Sequence, residues 1–300
     1  MTTMGVYIQA AAQISVQNPL CDDWLDNPIQ YQVPYQRAIE ADYRQFLDPV
    51  ASRRMGRILK RAIATSMTVV TSSGITNPDA IIVGTGLGCL ETTERFLLAL
   101  VQEGEEFLQP TNFINSTHNT IASHIAVHLK CNAYNSTYVH LGVSFESALL
   151  DAFMQFQLGR IHSALVGGHD ELIPNYFYIL DKVGFWEGKL ASECAVSFML
   201  SDKPGNHPMA RIREVVLLHD ADEKRLDDAI NQVCERLSTV RKDWISPPSV
   251  RPIFGESFTS QAFEMYAAAV KMQRGLIADN ILLINQYRGT ETSLIFLSKC

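Results

Sequence analysis

Three short and almost wholly apolar runs, Ala80-Ile81-Ile82-Val83-Gly84, Ser163 to Gly168 and Ala195 to Leu200, set the terms for what this chain can fold into. Each is bounded by turn residues and reads as a buried strand. Segments of helical period alternate with them. Arg53 to about Ser72 carries Met55, Ile58, Leu59, Ala62 and Ile63 on one face, and Glu91 to Gln102 and Asn119 to Leu129 follow. A further helix after Gly142 aligns Phe145, Leu149, Ala152, Phe153 and Phe156. Strands separated by helices predict an α/β architecture.

The remaining segments fill in the order. Val6 to Ser15 reads as a first strand and Asn18 to Val50 as a long loop with little core. Tyr138 to Leu141 reads as a strand leading into Gly142. The polar cluster Ser201-Asp202-Lys203-Pro204-Gly205-Asn206 suits a junction between halves covering residues 1–202 and 203–300. Beyond it come a strand (Arg211 to Leu218), a charged helix (Asp222 to Leu237) and an irregular stretch through Pro247-Pro248. A helix (Ser260 to Arg274) and a hairpin of Ile281 to Gln286 with Thr292 to Leu297 complete the chain.

Composition excludes several classes of function. With 300 residues and 47% apolar content, the chain can bury a large core. A net charge of −7 argues against nucleic acid as a partner. The six cysteines, Cys21, Cys89, Cys131, Cys194, Cys234 and Cys300, lack metal-ligand spacing, so free thiols are expected and no metal or other cofactor. The N-terminus has no signal-peptide pattern, and no run approaches the roughly 18 apolar residues of a membrane span. A cytoplasmic protein is the expectation.

A strand, a glycine turn and a helix N-terminus at Gly142 form a good seat for a thiol nucleophile. The helix dipole favours the thiolate, and free N–H groups can hold an oxyanion. Yet Gly142 has no side chain and Leu141 and Val143 are inert. Ser144 reads as an N-cap or as a stray hydroxyl at the site, and Glu146 falls in the first helical turn. Cys131 lies eleven residues upstream.

Several spaced motifs together resemble the β-ketoacyl synthases. Asn119-Thr120-Ile121-Ala122-Ser123 is similar to that family's N-x-x-A-G helix start, and Val83-Gly84-Thr85-Gly86-Leu87-Gly88 to its V-G-T-G-x-G turn. Gly159 followed by Gly167-Gly168-His169-Asp170-Glu171 resembles its helix end and G-G-x-x-E strand. Ser192-Glu193-Cys194-Ala195 stands in the place of G-E-G-A. Counted from Asn119 or back from Gly159, the family's cysteine falls on Gly142. The family also uses two C-terminal histidines, and this chain has none after His219. Ser238 to Val250 lacks the H-G-T-G-T run. In Arg251-Pro252-Ile253-Phe254-Gly255-Glu256, Glu256, or Gly255 with one deletion, takes the second histidine's place. Asn285-Gln286-Tyr287-Arg288-Gly289-Thr290 resembles the N-x-F-G-F-G-G-T-N turn, with Tyr287 at a pocket-gating phenylalanine and Arg288 replacing a glycine.

The resemblance implies a thiolase-like fold, layered α-β-α-β-α in two pseudo-duplicated halves, with the C-terminal half shortened. It implies no catalytic residue of the usual set. Asn119, His140, Gly142, Val143, Ser144, Phe145 and Tyr287 are the candidates for acyl pocket or interface. The basic cluster Arg53, Arg54, Arg57, Lys60 and Arg61 is the candidate docking face for an acidic acyl carrier protein, or else a solvated helix face. His124 and His128, at helical spacing, offer two metal ligands without a third, and His140 and His169 read as hydrogen-bonded core residues. The implied role is a non-catalytic, chain length factor-like subunit pairing with an active ketosynthase, or with itself. Such subunits serve type II polyketide or fatty-acid-like pathways, with aryl polyene or flexirubin-type pigments as plausible products. A divergent acyltransferase or condensing enzyme using Ser144, Cys131 or Glu256, and a homodimeric acyl-binding protein, stay open.

Overall fold

The computed structural model describes residues 5–105 and 109–300, without the side chains of Ala51 and Arg54. In chain order the first half contains β1 (Val6–Ile14), α1 (Arg57–Ser73), β2 (Ala80–Gly84), α2 (Leu90–Glu103), α3 (Pro110–Ile114), α4 (Thr120–Leu129) and β3 (Tyr134–Tyr138). Next come α5 (Ser144–Gln157), β4 (Ser163–Asp170), α6 (Pro174–Lys182) and β5 (Cys194–Ser201). The remainder supplies β6 (Ala210–His219), α7 (Glu223–Arg236), α8 (Arg251–Phe254), α9 (Gln261–Gln273), β7 (Asn280–Tyr287) and β8 (Glu291–Ser298).

The strands run in the order β3-β2-β4-β5-β1-β6-β8-β7. The duplication is visible in the pairings. β1 pairs antiparallel with β5 and β5 with β4, just as β6 pairs antiparallel with β8 and β8 with β7. The parallel pairs that β2 makes with β3 and β4 have no counterpart beyond β6, so the second set is shorter by two strands. Antiparallel contact between β1 and β6, Val6 opposite Ile212, joins the two sets.

Helices form three layers around these strands. α1 and α4 cover one outer face, burying Ile58, Leu59, Ala62, Ile121 and Ile125 with Ile81, Val83 and Leu165. α5 and α9 share the central core, and α9 is buried from Gln261 to Val270. A helix buried on nearly every side, Gln261 and Glu264 included, belongs inside the fold and not on its surface. α7 closes the other outer face, packing Ile230, Val233 and Cys234 on Leu282, Leu294 and Phe296. The α-β-α-β-α layering expected from the sequence is what forms.

Local signals account for element ends. Gly74 terminates α1 in the left-handed conformation, φ 73°, returning its N–H to the Val70 carbonyl. Asp222 caps α7 by accepting from the Arg225 N–H at 2.8 Å. Three expectations need correction. The strand before residue 142 is Tyr134–Tyr138, not Tyr138 to Leu141. It is an edge strand paired only with β2, so polar side chains suffice for it, while Val139 and Leu141 are about 40% exposed at the surface. α1 starts at Arg57, since residues 51–54 form a separate 3₁₀ turn. Asn18 to Val50 also does contribute core. Trp24 is buried against Phe254, with centroids 5.0 Å apart, and against Tyr266 at 6.0 Å.

Candidate functional site

Two turns meet at the ends of β2, β3 and β4. The first, Thr85 to Gly88, is fastened by one buried carboxylate at the end of β4. Asp170 accepts from Thr85 Oγ1 at 3.0 Å, the Gly86 N–H at 2.9 Å and the Leu87 N–H at 2.8 Å. Burial raises the Asp170 pKa to about 6 in spite of these donors. Next to it, Glu171 accepts from the Glu91 N–H in the first turn of α2, and burial pushes its carboxyl up to about 7. Gly84 is required where this turn meets the second, because a Cβ there would lie 2.4 Å from the Ser144 carbonyl carbon.

The second turn, Leu141-Gly142-Val143, is a 3₁₀ turn leading into α5. Leu141 holds a left-handed backbone, φ 47°, which side-chain-bearing residues rarely adopt. Ser144 does not cap the helix as expected. Its Oγ accepts from the His140 N–H and donates to the Leu141 carbonyl, both at 2.8 Å, and so closes the turn itself. Gly142 is buried under Tyr287. A Cβ at residue 142 would stand 2.1 Å from Tyr287 Cδ2 and 2.4 Å from Cγ. The aromatic ring therefore fills the place a nucleophile's side chain would need.

Beneath this contact runs a polar chain. Arg251 donates to Asn285 Oδ1 at 2.8 Å, and Asn285 Nδ2 donates to the Gly142 carbonyl at 2.9 Å and to Glu146 Oε1 at 2.7 Å. Ser293 Oγ adds a bond to Glu146 at 2.9 Å, while Oε2 has no partner. Glu146 is fully buried, and burial raises its pKa to about 7. Near neutral pH it exists partly as the acid, anchoring the turn to the β7–β8 hairpin.

A cavity of about 250 Å³ opens beside Gly142, lined by Arg251, Glu256, Phe258, Gln261 and Tyr287 among others. Glu256, at the position of the second histidine, is in an ion-pair cluster with Lys189 at 3.6 Å and Arg251 at 3.7 Å. A second cavity, about 530 Å³, lies across the same turn, where Val139, His140, Leu141 and Val143 face Tyr287 and Arg288.

The structure brings together Gly142, Tyr287 and Glu256, and places His140 and Val143 across the turn. It leaves the other candidates out. Phe145 is wholly buried against Phe198, and Asn119 is exposed at the start of α4, outside the walls of either cavity. Cys131 sits in the core under α1 and α4 with its thiol on the Pro78 carbonyl. Cys89 and Cys194 are buried, which raises both thiols far above their ordinary range. His140 is exposed, sharing its Nδ1 with Ser147 Oγ at 2.9 Å, not buried as expected. His169 is buried, but neither ring nitrogen has a partner, and desolvation lowers its pKa to about 3. Burial also lowers the pKa of His124 and His128.

The basic cluster does not form one face. Arg61 is buried, pairing with Glu193 at 2.9 Å and Glu40 at 2.5 Å, because Glu193 also ties down the Ala38 N–H and needs a cation inside the fold. Arg57 pairs with Glu91 at 3.2 Å, Arg53 is exposed, and the Arg54 side chain lies outside the described residues. Sequence reasoning missed Asn285 as the link between the Gly142 turn and the β7–β8 hairpin. It also missed Lys189, which lies in the turn between α6 and β5, where no helical or strand period marks it.

Comparison with known proteins agrees with this geometry. A profile described as "Beta-ketoacyl synthase, N-terminal domain" matches residues 23–245. No curated protein matches the chain by sequence. Among solved structures, "The ishigamide ketosynthase/chain length factor" is similar at TM-score 0.82 and 13% identity, over 100% of both chains. The complex of a type II PKS acyl-carrier protein with its ketosynthase bound to the hexaketide gives TM-score 0.84 and 13% identity, also over 100% of both. A ketosynthase with its chain length factor from Xenorhabdus doucetiae gives 0.79 and 13%, over 99% of this chain and 98% of that one. At such identity the likeness shows the fold.

Proposed function

The chain belongs to the β-ketoacyl synthase family, and we propose that it acts there as a non-catalytic subunit, akin to a chain length factor, that pairs with an active ketosynthase. The observation that carries this reading is the Tyr287 ring seated on Gly142, which leaves no room for a nucleophile at the position the family uses. The ion-paired Glu256 supports it, since a carboxylate holds no proton to donate to a thioester oxygen. Ser144 is committed to closing its own turn and Cys131 to the core, which speaks against both as substitutes.

The surface supports pairing. β3 is an edge strand, and Val139 and Leu141 beside it are apolar and exposed. Such an edge is a template for a partner strand. In this reading a ketosynthase docks on β3, and the cavity across the turn adjoins the joint acyl tunnel. An acidic carrier protein approaches Arg53 and Arg57. The host is a cytosolic type II polyketide or fatty-acid-like pathway, with aryl polyene or flexirubin-type pigments as candidate products. The two halves meet at residues 202–203.

Co-expression with a ketosynthase from the same gene neighbourhood tests this. A one-to-one heterodimer on size exclusion, disrupted by Leu141→Arg, is expected. A homodimer that ignores the ketosynthase, with product unchanged on deletion of the gene, would overturn the proposal.

A further inference from the structure

The cavity beside Gly142 is lined by three cations, Lys189, Arg251 and Arg288, against one carboxylate, Glu256. Lys189 and Arg251 share that carboxylate, and Arg251 also lies 3.7 Å from Glu264. Arg288 differs from both: among the described residues no carboxylate pairs with it. Its guanidinium stands 5.8 Å from the Phe185 centroid and 5.9 Å from that of Tyr287. The tip of the β7–β8 hairpin holds it there in a left-handed backbone position, φ 54°, that favours glycine.

Two buried groups on the same walls also lack partners. Trp186 is 3% exposed with Nε1–H unpaired, and Gln261 is 1% exposed with both amide atoms unpaired. Buried polar groups left unsatisfied are costly, and the Trp186 Nε1–H and Gln261 Nε2–H donors, on side chains that border the cavity near the solvent-exposed Arg288, suit an anion that accepts hydrogen bonds. Phe185, Phe258 and Tyr287 provide flat apolar walls, with the Phe185 and Phe258 rings stacked at 5.4 Å.

We propose that this cavity binds a small organic carboxylate with a flat, unsaturated body, held without a covalent bond, its carboxylate on Arg288 and its body against the aromatic walls. The inference rests on the site's being non-covalent, but not on the pairing with another chain. Failure of the heterodimer to form leaves it standing, and its own failure leaves the pairing untouched.

Calorimetry on the whole chain with trans-cinnamate and its neutral isostere cinnamamide tests it. Arg288→Gly places glycine where the backbone favours it, and a thermal melt verifies the fold. Saturable one-to-one binding of cinnamate is expected, weakened at least about tenfold in the variant and at least about tenfold weaker for the amide. Should the melting temperature of Arg288→Gly fall, Arg288→Gln takes its place and must show the same loss. Absent cinnamate binding, equal affinity for the amide, or an unchanged affinity in the variants overturns the proposal.

Discussion

The two turns that flank the site are held by different means. Thr85 to Gly88 is secured by hydrogen bonds, with one buried carboxylate, Asp170, collecting a hydroxyl and two backbone N–H groups. Leu141 to Val143 adds packing to its hydrogen bonds, with an aromatic ring pressed on a glycine above the bonds that Ser144 and Asn285 make to the turn. The first arrangement needs nothing from the chemistry of the site. The second stands where that chemistry would be, and is plugged. In the reading proposed above, a fold whose scaffold bonds are separate from its reactive groups loses the latter and still folds.

Breaking the first turn should cost the most. Asp170→Ala would strand its donors in a dry environment, and urea denaturation is expected to show a loss of about 3–5 kcal/mol. Asp170→Asn should cost less, because its carbonyl still accepts.

The second turn is tested by overpacking. Gly142→Cys alone is expected to lose about 1–3 kcal/mol, since the new Cβ would overlap the Tyr287 ring. In a Tyr287→Gly background the same change should cost much less, giving a coupling of about 1 kcal/mol or more in a double-mutant cycle. Additive losses would mean that the ring does not occupy the nucleophile's place.

Titration sharpens the comparison. Folding raises the pKa of Glu146, to about 7 from a usual 4.5, so the stability it contributes is fully present below about pH 4.5 and is lost as pH rises through 7. Asp170, raised to about 6, and Glu171, raised to about 7, act in the same direction. His169, lowered to about 3, has the opposite sign: its contribution is present above pH 6.5 and lost as pH falls toward 3. Glu146→Gln should remove about 2–3 kcal/mol of the loss between pH 4.5 and 8, read from urea midpoints across pH. His169→Leu should instead flatten the acid side.

The smallest effect belongs to Ser144. Ser144→Ala leaves the His140 N–H unpaired and is expected to cost about 1 kcal/mol by thermal melt. A larger loss would show that the turn depends on hydrogen bonds as much as its neighbour does.

Much of the fold was legible because the core strands are apolar throughout: β2, β4 and β5 announce themselves. β3 was placed late because an edge strand can be polar, and Tyr134-Asn135-Ser136-Thr137-Tyr138 carries no burial signal. At the site, motif spacing located Gly142, Glu256 and Tyr287, but not what they touch. Arg61 looked like part of a basic face, and only the fold shows that Glu193 draws it inside. Asn285 on β7 bonds to the Gly142 turn, 143 residues away in sequence, a relation no local pattern encodes.

Intact-mass spectrometry after incubation with acyl-loaded carrier protein tests the proposed loss of covalent attachment most directly. The mass of the chain is expected to stay unchanged while a paired ketosynthase in the same tube gains one acyl group. A stoichiometric acyl adduct on this chain, mapped to Ser144, Cys131 or any residue lining the cavity beside Gly142, would contradict it.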